Sequence, residues 1–482
     1  MKLLSRLLFP LMSCALFLAL GCRDSKPDGP AIQAIQPASG PRGTTVEITG
    51  RGLGGARRVL FNGTEAQAFQ EVDEGRILAN VPTGATTGPI RVETREGDTL
   101  ASPGTFTVTP GPSALTLAEA GWYLTQATQD LDRSVPLVAN RDGFLRVFLR
   151  ASALNLASPS IRATIIRPDG QIWTALAQPP GLSVPVRLDE GTLEASWNLP
   201  VPGTALAPGS LLTLALVPGG AMPEAAPVWN EGPRPLDVRV MQPLRVTLVP
   251  IVQANGAQGD VTLGGTRTLA DWADLLKRLF PVATTAGGVD IQVGTPLAST
   301  QTLVPDNDGP WAATINELEL KRMADNALDR FYFGVVRLGW DSGTLGLTGL
   351  GALTHTPFAL GTDAPDAYQR TFAHEMGHVL GRDHAPCGGV VAAPGNWPDA
   401  GARNGAYTGG RIGIFGLDVA RRELKDPARC TDIMGYCADT WISDFTYRGI
   451  LNRGFAIQPA PAGQNRPAAA YRSAGSLNPR LP

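Results

Sequence analysis

The eleven residues from His374 to His384, HEMGHVLGRDH, constrain the structure of this chain more than any other stretch of its sequence. The chain has only four histidines among 482 residues, and three of them lie in this segment at spacings of four and six. Imidazole is the commonest transition-metal ligand among side chains, so this concentration indicates a metal site. The fold must therefore bring three imidazoles to one point.

The spacing of the first two histidines predicts an α-helix. Residues four apart lie on one face of a helix, about one turn from each other, which places His374 and His378 side by side. Gly381 is expected to end this helix, because glycine readily adopts the left-handed conformation found at many helix ends. The chain can then turn back and present His384 as a third nitrogen ligand.

Three histidines and a water form a tetrahedral zinc site with one open position, which is the catalytic rather than the structural arrangement. Glu375 follows the first ligand, so its carboxylate can face the water without binding the metal. The segment therefore predicts one catalytic zinc ion (Zn2+) with Glu375 as the general base that accepts the proton of the water. The added Gly381 and His384 argue against histidines placed by chance.

The complete motif, HExxHxxGxxH, resembles that of the metzincin superfamily of zinc endopeptidases. A second signature of that superfamily, a methionine-containing turn beneath the metal, is matched downstream by CTDIMGYCADTWISDF. The resemblance implies that Met434 forms the apolar floor of the site and that Tyr436 reaches the metal or the oxyanion. It also implies hydrolysis of peptide bonds in an extracellular protein or glycoprotein substrate. Plain core packing is the alternative for both side chains.

Three cysteines flank the metal site. An oxidising compartment allows one disulfide among them and leaves one cysteine unpaired. Cys387 lies three residues after His384, and Cys437 ends the methionine-containing turn. A Cys387–Cys437 bond is therefore predicted to tie the third ligand to the floor of the site, with Cys430 as the competing partner for either cysteine.

Residues 1–21 are predicted to be a lipoprotein signal peptide, since Lys2 and Arg6 precede an apolar run. The stretch LALGC resembles a bacterial lipobox, with Cys22 as the lipid-bearing first residue of the mature chain. Residues 22–30 are a short polar tether. We expect an exported lipoprotein, anchored to a bacterial membrane at the outer membrane or cell surface. An ordinary signal peptide cut nearby is the alternative.

Two β-sandwich-like domains are predicted before the metal-binding region. Residues 31–110 contain short alternating runs separated by Gly-rich turns, which is typical of a small all-β sandwich. Within them IQPASGPRGTTVEITGRGL and VPTGATTGPIRV resemble the IPT/TIG immunoglobulin-like family. Residues 111–241 are also β-rich and lack clustered titratable residues, so a structural or substrate-presenting role is expected.

Residues 242–454 alternate strands with helices, which predicts an α/β (α+β) domain of metzincin-like type. Its Gly-rich run from Gly343 to Gly351 is expected to be a sheet edge beside the histidine helix, with a flexible loop as the alternative. The helix is expected to be capped by Thr362 or Asp363. Residues 455–482, rich in Pro, Ala and Gly, are predicted to be a disordered tail.

The charge balance excludes one class of partner. With 41 basic and 43 acidic residues and no basic cluster beyond the N-terminus, no nucleic acid is expected to bind. A surface-anchored or secreted zinc endopeptidase is the predicted function. The alternatives are a surface adhesion or binding protein with a non-catalytic metalloprotease-like domain, and zinc hydrolysis of a non-peptide amide. Retention of every ligand and of Glu375 favours the enzyme at this stage.

Overall fold

The computed structural model describes residues 29–109, 115–220, 222, 230–285, 287–305, 307–341, 344–351, 354–390, 397–398 and 401–457, with backbone alone at 230–231, 349–351 and 354–355. The predicted signal peptide, the lipidation site Cys22 and residues 458–482 of the predicted tail lie outside these residues. The predicted start of the tail at residue 455 is wrong, because Phe455 is buried in the apolar core. No helix in the described ranges is long and apolar enough to cross a membrane. The chain divides into two compact units, one ending at Thr109 and the other containing Pro41–Thr44 and all that follows Thr109.

The first unit is a sandwich of two β-sheets. One sheet has the strand order β1-β3-β7-β6 and the other β2-β9-β8-β4-β5. Alternate residues of each strand face a shared apolar core, as with Val46 and Ile48 or Ile90 and Val92, so the predicted all-β sandwich is confirmed. The strands are β1 Ala31–Gln36, β2 Ser39–Gly40, β3 Thr45–Arg51, β4 Ala56–Phe61, β5 Thr64–Glu65, β6 Phe69–Asp73, β7 Arg76–Asn80, β8 Gly88–Thr94 and β9 Thr99–Val108.

The second unit begins with a further β-rich region. Two sheets, β10-β12-β15 and β14-β13-β16-β17, enclose an apolar core that includes Trp122 and Trp197. A parallel pair, β11 and β18, completes the region. The strands are β10 Leu117–Thr125, β11 Leu137–Val138, β12 Gly143–Ala151, β13 Ser160–Ile166, β14 Ile172–Ala177, β15 Trp197–Val201, β16 Leu211–Val217, β17 Asn230–Pro235 and β18 Val238–Arg239.

The metal-binding region is built on a mixed sheet with the order β20-β19-β22-β24-β23, in which β21 also pairs with β19. Five of the strands, β19, β20, β21, β22 and β24, run parallel, and β23 pairs antiparallel with β24 at the edge. Helices α1 and α3 cover one face of the sheet and α2 the other. The elements are β19 Leu244–Val252, α1 Leu269–Leu279, β20 Val289–Val293, β21 Leu297–Ala298, α2 Asp308–Ala324, β22 Phe331–Val336, β23 Gly346–Gly351, β24 Thr354–Thr362, α3 Tyr368–Val379, β25 Gly416–Asp418, β26 Glu423–Lys425, β27 Thr431–Asp432, β28 Thr440–Trp441 and α4 Asp444–Arg453.

Side chains of β19 point alternately to the two faces of the sheet, and helices pack on both faces. Val246 and Leu248 pack with α1 and α3, whereas Val249 and Ile251 pack with α2. A strand covered on both faces is largely apolar, as LRVTLVPIV is apart from the exposed Arg245 and from Thr247. The predicted alternation of strands and helices is therefore confirmed, and so is the strand at the sheet edge within Gly343 to Gly351.

The predicted boundary between residues 241 and 242 does not separate two compact units. Ala127 and Val135, from the β-rich region, belong to the same apolar core as α1 and α3. The indole of Trp441 donates a hydrogen bond of 2.8 Å to the carbonyl of Ala127. Residues 115–457 therefore form one unit, because the β-rich region and the mixed sheet share buried surface that neither could leave exposed to water.

The predicted cap of the histidine helix is wrong. Helix α3 begins at Tyr368, several residues after Thr362 and Asp363. The carboxylate of Asp363 instead accepts hydrogen bonds from Arg337 and from the backbone N–H of Asp260. Because its oxygens are engaged there, Asp363 fixes the end of the sheet rather than the start of the helix.

Candidate metal centre

Helix α3 places the first two histidines on one face, one turn apart. The Nε2 atoms of His374 and His378 lie 3.1 Å from each other. The Nε2 atom of His384 lies 3.1 Å from that of His378. The structure thus brings together the three residues predicted as metal ligands, with one nitrogen of each within 4.8 Å of the others.

Gly381 makes this convergence possible by ending the helix with a reversal. Its φ of 78° is left-handed, a conformation that favours glycine because no Cβ is present. The N–H of Gly381 bonds to the carbonyl of His378 at 2.8 Å, and that of Arg382 bonds to the carbonyl of Gly377 at 2.9 Å. This pair of bonds is a Schellman motif, and it directs the chain back so that His384 returns to the helix.

The hydrogen bonds of the imidazoles define which nitrogen carries the proton. His374 Nδ1 lies 2.9 Å from the carbonyl oxygen of Ile433, and His378 Nδ1 lies 2.7 Å from that of Arg382. A carbonyl oxygen can only accept, so each Nδ1 donates and each Nε2 keeps its lone pair. Two lone pairs facing each other at 3.1 Å cannot form a hydrogen bond. A shared cation satisfies both, and the donor set therefore fits a metal ion.

Burial keeps these ligands neutral. His374 has no exposed surface, and burial lowers its pKa to about 3. Burial also lowers the pKa of His378 well below its usual value. Neutral imidazole is the form that binds a metal, so the two helical ligands are ready for binding throughout the physiological pH range.

Glu375 is fully buried between the helix and the edge strand. Among the described residues, neither of its carboxylate oxygens has a hydrogen-bond partner. A Cβ added at Gly346 of β23 would lie 2.6 Å from Oε1, so only glycine allows this approach. Burying a polar group without a hydrogen-bond partner costs free energy, so a bound group that donates a hydrogen bond to this carboxylate would stabilise the site. A zinc ion held by the three histidines would supply one, because it binds a water whose pKa it lowers to about 7.

Met434 lies beneath the helix, as the sequence predicts. Its side chain is fully buried, and a Cβ added at Gly377 would overlap its sulfur atom. The turn that carries Met434 is held by Asp432, whose carboxylate accepts the N–H groups of Met434 and Ser443, each at 2.8 Å. Sequence analysis missed Asp432. Its signal was present, because an aspartate that bonds to the N–H two residues ahead is typical of tight turns.

Tyr436 contacts the third ligand directly. Its hydroxyl oxygen lies 2.6 Å from His384 Nε2, and its ring is buried. The residue that the resemblance placed near the metal is therefore part of the cluster. Leu345 and the partly buried Trp340 pack beside it and form an apolar wall.

A disulfide lies beside the site, between the two cysteines for which the sequence predicts it. Cys387 and Cys437 are bonded, and their Cα atoms lie 5.6 Å apart. Cys430 is buried as a free thiol. Arg370, one turn before His374, donates a hydrogen bond of 2.6 Å to the carbonyl of Cys437, a contact that the sequence did not predict. The bridge ties the segment after His384 to the floor of the site, and the Arg370 bond ties helix α3 to the same floor.

Three solved structures that are similar to the chain are described as glycan-binding proteins or as complexes with an oligosaccharide. The Bacteroides ovatus mixed-linkage glucan utilization locus SGBP-B, in complex with a heptasaccharide, is 15% identical over 45% of this chain and 48% of its own, with a TM-score of 0.16. The surface glycan-binding protein PbSGBP-B from Prevotella bryantii is 12% identical over 40% and 41%, with a TM-score of 0.15. A structure with a xylogluco-oligosaccharide is 17% identical over 39% and 46%, with a TM-score of 0.15. The chain spans less than half the length of each.

These neighbours correct the predicted function. They are described as glycan-binding proteins or as complexes with an oligosaccharide, and none of the three is described as a peptidase. The predicted zinc endopeptidase with a protein or glycoprotein substrate is therefore withdrawn. Two of them are described as surface or utilization-locus proteins. With TM-scores of this size, their ligands are not transferred to this chain.

The comparison of the sequence with curated proteins finds no match. A model of the IPT/TIG domain matches residues 30–108, which agrees with the sandwich of the first unit and with the predicted range 31–110. Residues 30–108 of this chain are therefore an IPT/TIG domain.

Proposed function

We propose that this chain is an exported binding protein of the cell surface. Its C-terminal region holds one zinc ion between His374, His378 and His384. The observation that carries the proposal is the pair of Nε2 lone pairs that face each other at 3.1 Å on helix α3. Three neutral imidazoles are a donor set that zinc favours, and they leave a fourth position open. The buried carboxylate of Glu375 is then a hydrogen-bond acceptor beside the ion.

The proposal includes a metzincin-like architecture for the metal-binding region. In its support, the two helical ligands, the reversal at Gly381 and the methionine beneath the helix occur together in one unit. Tyr436 is proposed as a further member of the site through its contact with His384. This is the binding-protein alternative with a metalloprotease-like scaffold. Peptide hydrolysis is not part of the proposal.

Anchoring at the membrane is a separate element of the proposal. The lipobox-like LALGC places Cys22 at the end of an apolar segment, where acylation would hold the protein on a membrane. Residues 22–30 would keep the IPT/TIG domain in water. Replacement of Cys22 by Ala should release the protein from membranes or block its processing. Unchanged membrane retention together with an unchanged mass of the mature chain would contradict the anchor.

A competition titration against a zinc-selective chelator tests the metal site. The purified chain should bind one equivalent of zinc, and His384→Ala should lose at least tenfold in affinity, because two imidazoles and water hold zinc poorly. His355→Ala is the matched control, since it removes the one histidine outside the motif and should leave binding unchanged. Equal affinity in the wild type and in His384→Ala would refute the proposed site.

A further inference from the structure

A cavity of about 480 Å³ lies in the second unit, and none of its lining residues belongs to the metal centre. Its walls come from the start of β12, the end of β15 with Pro202, the last turns of α1 and residues 419–422 after β25. Its volume is within the range of about 300–1,000 Å³ that small-molecule sites usually have. The chain thus has room for a ligand at the junction of its β-rich region and its mixed sheet.

Cationic side chains predominate in the lining of this cavity. The lining contains four basic residues and only two acidic ones. The basic residues are Arg141, Lys277, Arg278 and Arg422, and the acidic ones are Asp142 and Asp274. One cation is already neutralised, because Arg278 forms ion pairs of 3.0 Å with Asp274 and 2.8 Å with the buried Asp418. The charges that remain are those of the other three basic residues and of Asp142.

Arg141 contributes a buried positive charge with no carboxylate bonded to it. Its guanidinium donates to the carbonyl oxygens of Gln126, Lys277, Arg278 and Val282 at 2.6–3.3 Å. These carbonyls include the end of α1, whose negative dipole would otherwise repel an anion. The guanidinium therefore removes the unfavourable field of the helix terminus from the wall of the cavity.

Lys277 and Arg422 are the cations available to a ligand. Within the described ranges, neither side chain forms a hydrogen bond or an ion pair, although both line the cavity. Arg422 also has a φ of 55°, a left-handed conformation that is uncommon for a residue with a Cβ. Strained backbone of this kind concentrates at sites where a side chain must be presented in one direction.

Much of the remaining lining is apolar, and Gln126, Gly143 and Thr284 complete it. Pro200, Val201, Pro202, Val419 and Ala420 supply aliphatic surface next to the two cations. An inorganic ion would leave this surface in contact with water. A molecule with an anionic group and a compact apolar body would cover it and gain hydrophobic free energy.

We propose that this cavity binds a small organic anion, with its charged group between Lys277 and Arg422 and its aliphatic body against Pro200 and Val419. A carboxylate or a phosphate monoester offers the oxygens that an arginine fork recognises. The site is independent of zinc, because none of its residues contacts the three histidines.

Calorimetric titration of the full chain with matched probes tests the proposal. The probes are 4-methylpentanoate, its neutral amide, isoamyl phosphate and inorganic phosphate. At least one of the two organic anions should bind, with at least tenfold higher affinity than the amide and inorganic phosphate, and whichever binds more tightly identifies the charged group. Binding of neither organic anion, or equal binding of the amide, would overturn the proposal.

Variants locate the binding to the cavity. Lys277→Gln and Arg422→Gln should each weaken the organic anion at least fivefold, whereas Arg421→Gln, an exposed neighbour outside the lining, should not. Arg422→Gly removes the side chain but suits the left-handed backbone, so it should keep or raise the melting temperature while losing affinity. Unchanged affinity in a folded Arg422→Gly protein would contradict the assignment.

Discussion

His374 and His378 direct their Nε2 lone pairs at each other across 3.1 Å, while their Nδ1 atoms donate to two backbone carbonyls. One carbonyl belongs to Ile433, in the turn of Met434, and the other to Arg382, after the helix. The backbone on either side of the helix thus sets the tautomer of both ligands. Substitutions that disturb the backbone near Ile433 or Arg382 should therefore change the affinity for the metal, although no ligand residue is replaced.

The disulfide is the first support of this backbone. Replacing both Cys387 and Cys437 by Ser should lower the free energy of unfolding by about 4 kcal/mol, the chain-entropy value for a loop of this length. It should also weaken zinc binding, because His384 lies three residues before the bridge. Cys430→Ser is the control and should have a small effect on zinc binding. Denaturant unfolding and zinc titration of both proteins measure this, and equal losses in the two would exclude a special role for the bridge.

Asp432 is the second support. Asp432→Ala would leave two buried N–H groups without their acceptor, which costs about 1–3 kcal/mol for each group. The turn that carries Ile433 and Met434 should loosen, so the affinity for zinc should fall together with stability. Asp439→Asn, in the same segment, is the matched control and should change neither. A variant that loses stability but keeps full zinc affinity would show that Asp432 acts on the fold alone.

Contact between Gly377 and Met434 gives a third prediction. Gly377→Ala adds a methyl group that overlaps the sulfur of Met434, so overpacking should cost about 1–3 kcal/mol despite the higher helix propensity of alanine. Gly309→Ala in the first turn of α2 is the control, where the same change has no such overlap and should be nearly neutral. Thermal unfolding separates the two. A neutral or stabilising effect at Gly377 would mean that Met434 moves freely.

A fourth prediction concerns Arg141 and whether the second unit unfolds as a single cooperative unit. Arg141→Ala would remove the donor to the end of α1 and should destabilise the protein by about 3 kcal/mol or more, because several buried carbonyls lose their partner. Arg150→Ala, at an exposed arginine of the neighbouring strand β12, should have little effect. Calorimetry should show the β-rich region and the mixed sheet unfolding in one transition. Two separate transitions for these regions would restore the predicted boundary at residue 241.

Local patterns allowed the sequence to predict much of the metal centre. The histidine spacing and Gly381 each express a short-range rule, Cys387 and Cys437 lie within three residues of the site residues His384 and Tyr436, and Met434 came from the resemblance. Contacts between distant segments had no such signal. The sequence predicts Asp363 as a helix cap, but in the structure its carboxylate accepts hydrogen bonds from Arg337. The carbonyl groups that Arg141 bonds to lie far from it in sequence, so no local pattern predicts them. The predicted peptidase function rested on the ligand set, on Glu375 and on the resemblance, none of which identifies a substrate.

The most direct test of the central claim is zinc X-ray absorption of the purified chain. We predict one zinc per chain with three imidazole nitrogens at about 2.0–2.1 Å and a light oxygen atom as the remaining ligand. His378→Ala should abolish this signal, whereas Cys430→Ser should leave it unchanged. A spectrum with sulfur at about 2.3 Å, or a chain that takes up no zinc, would contradict the three-histidine site.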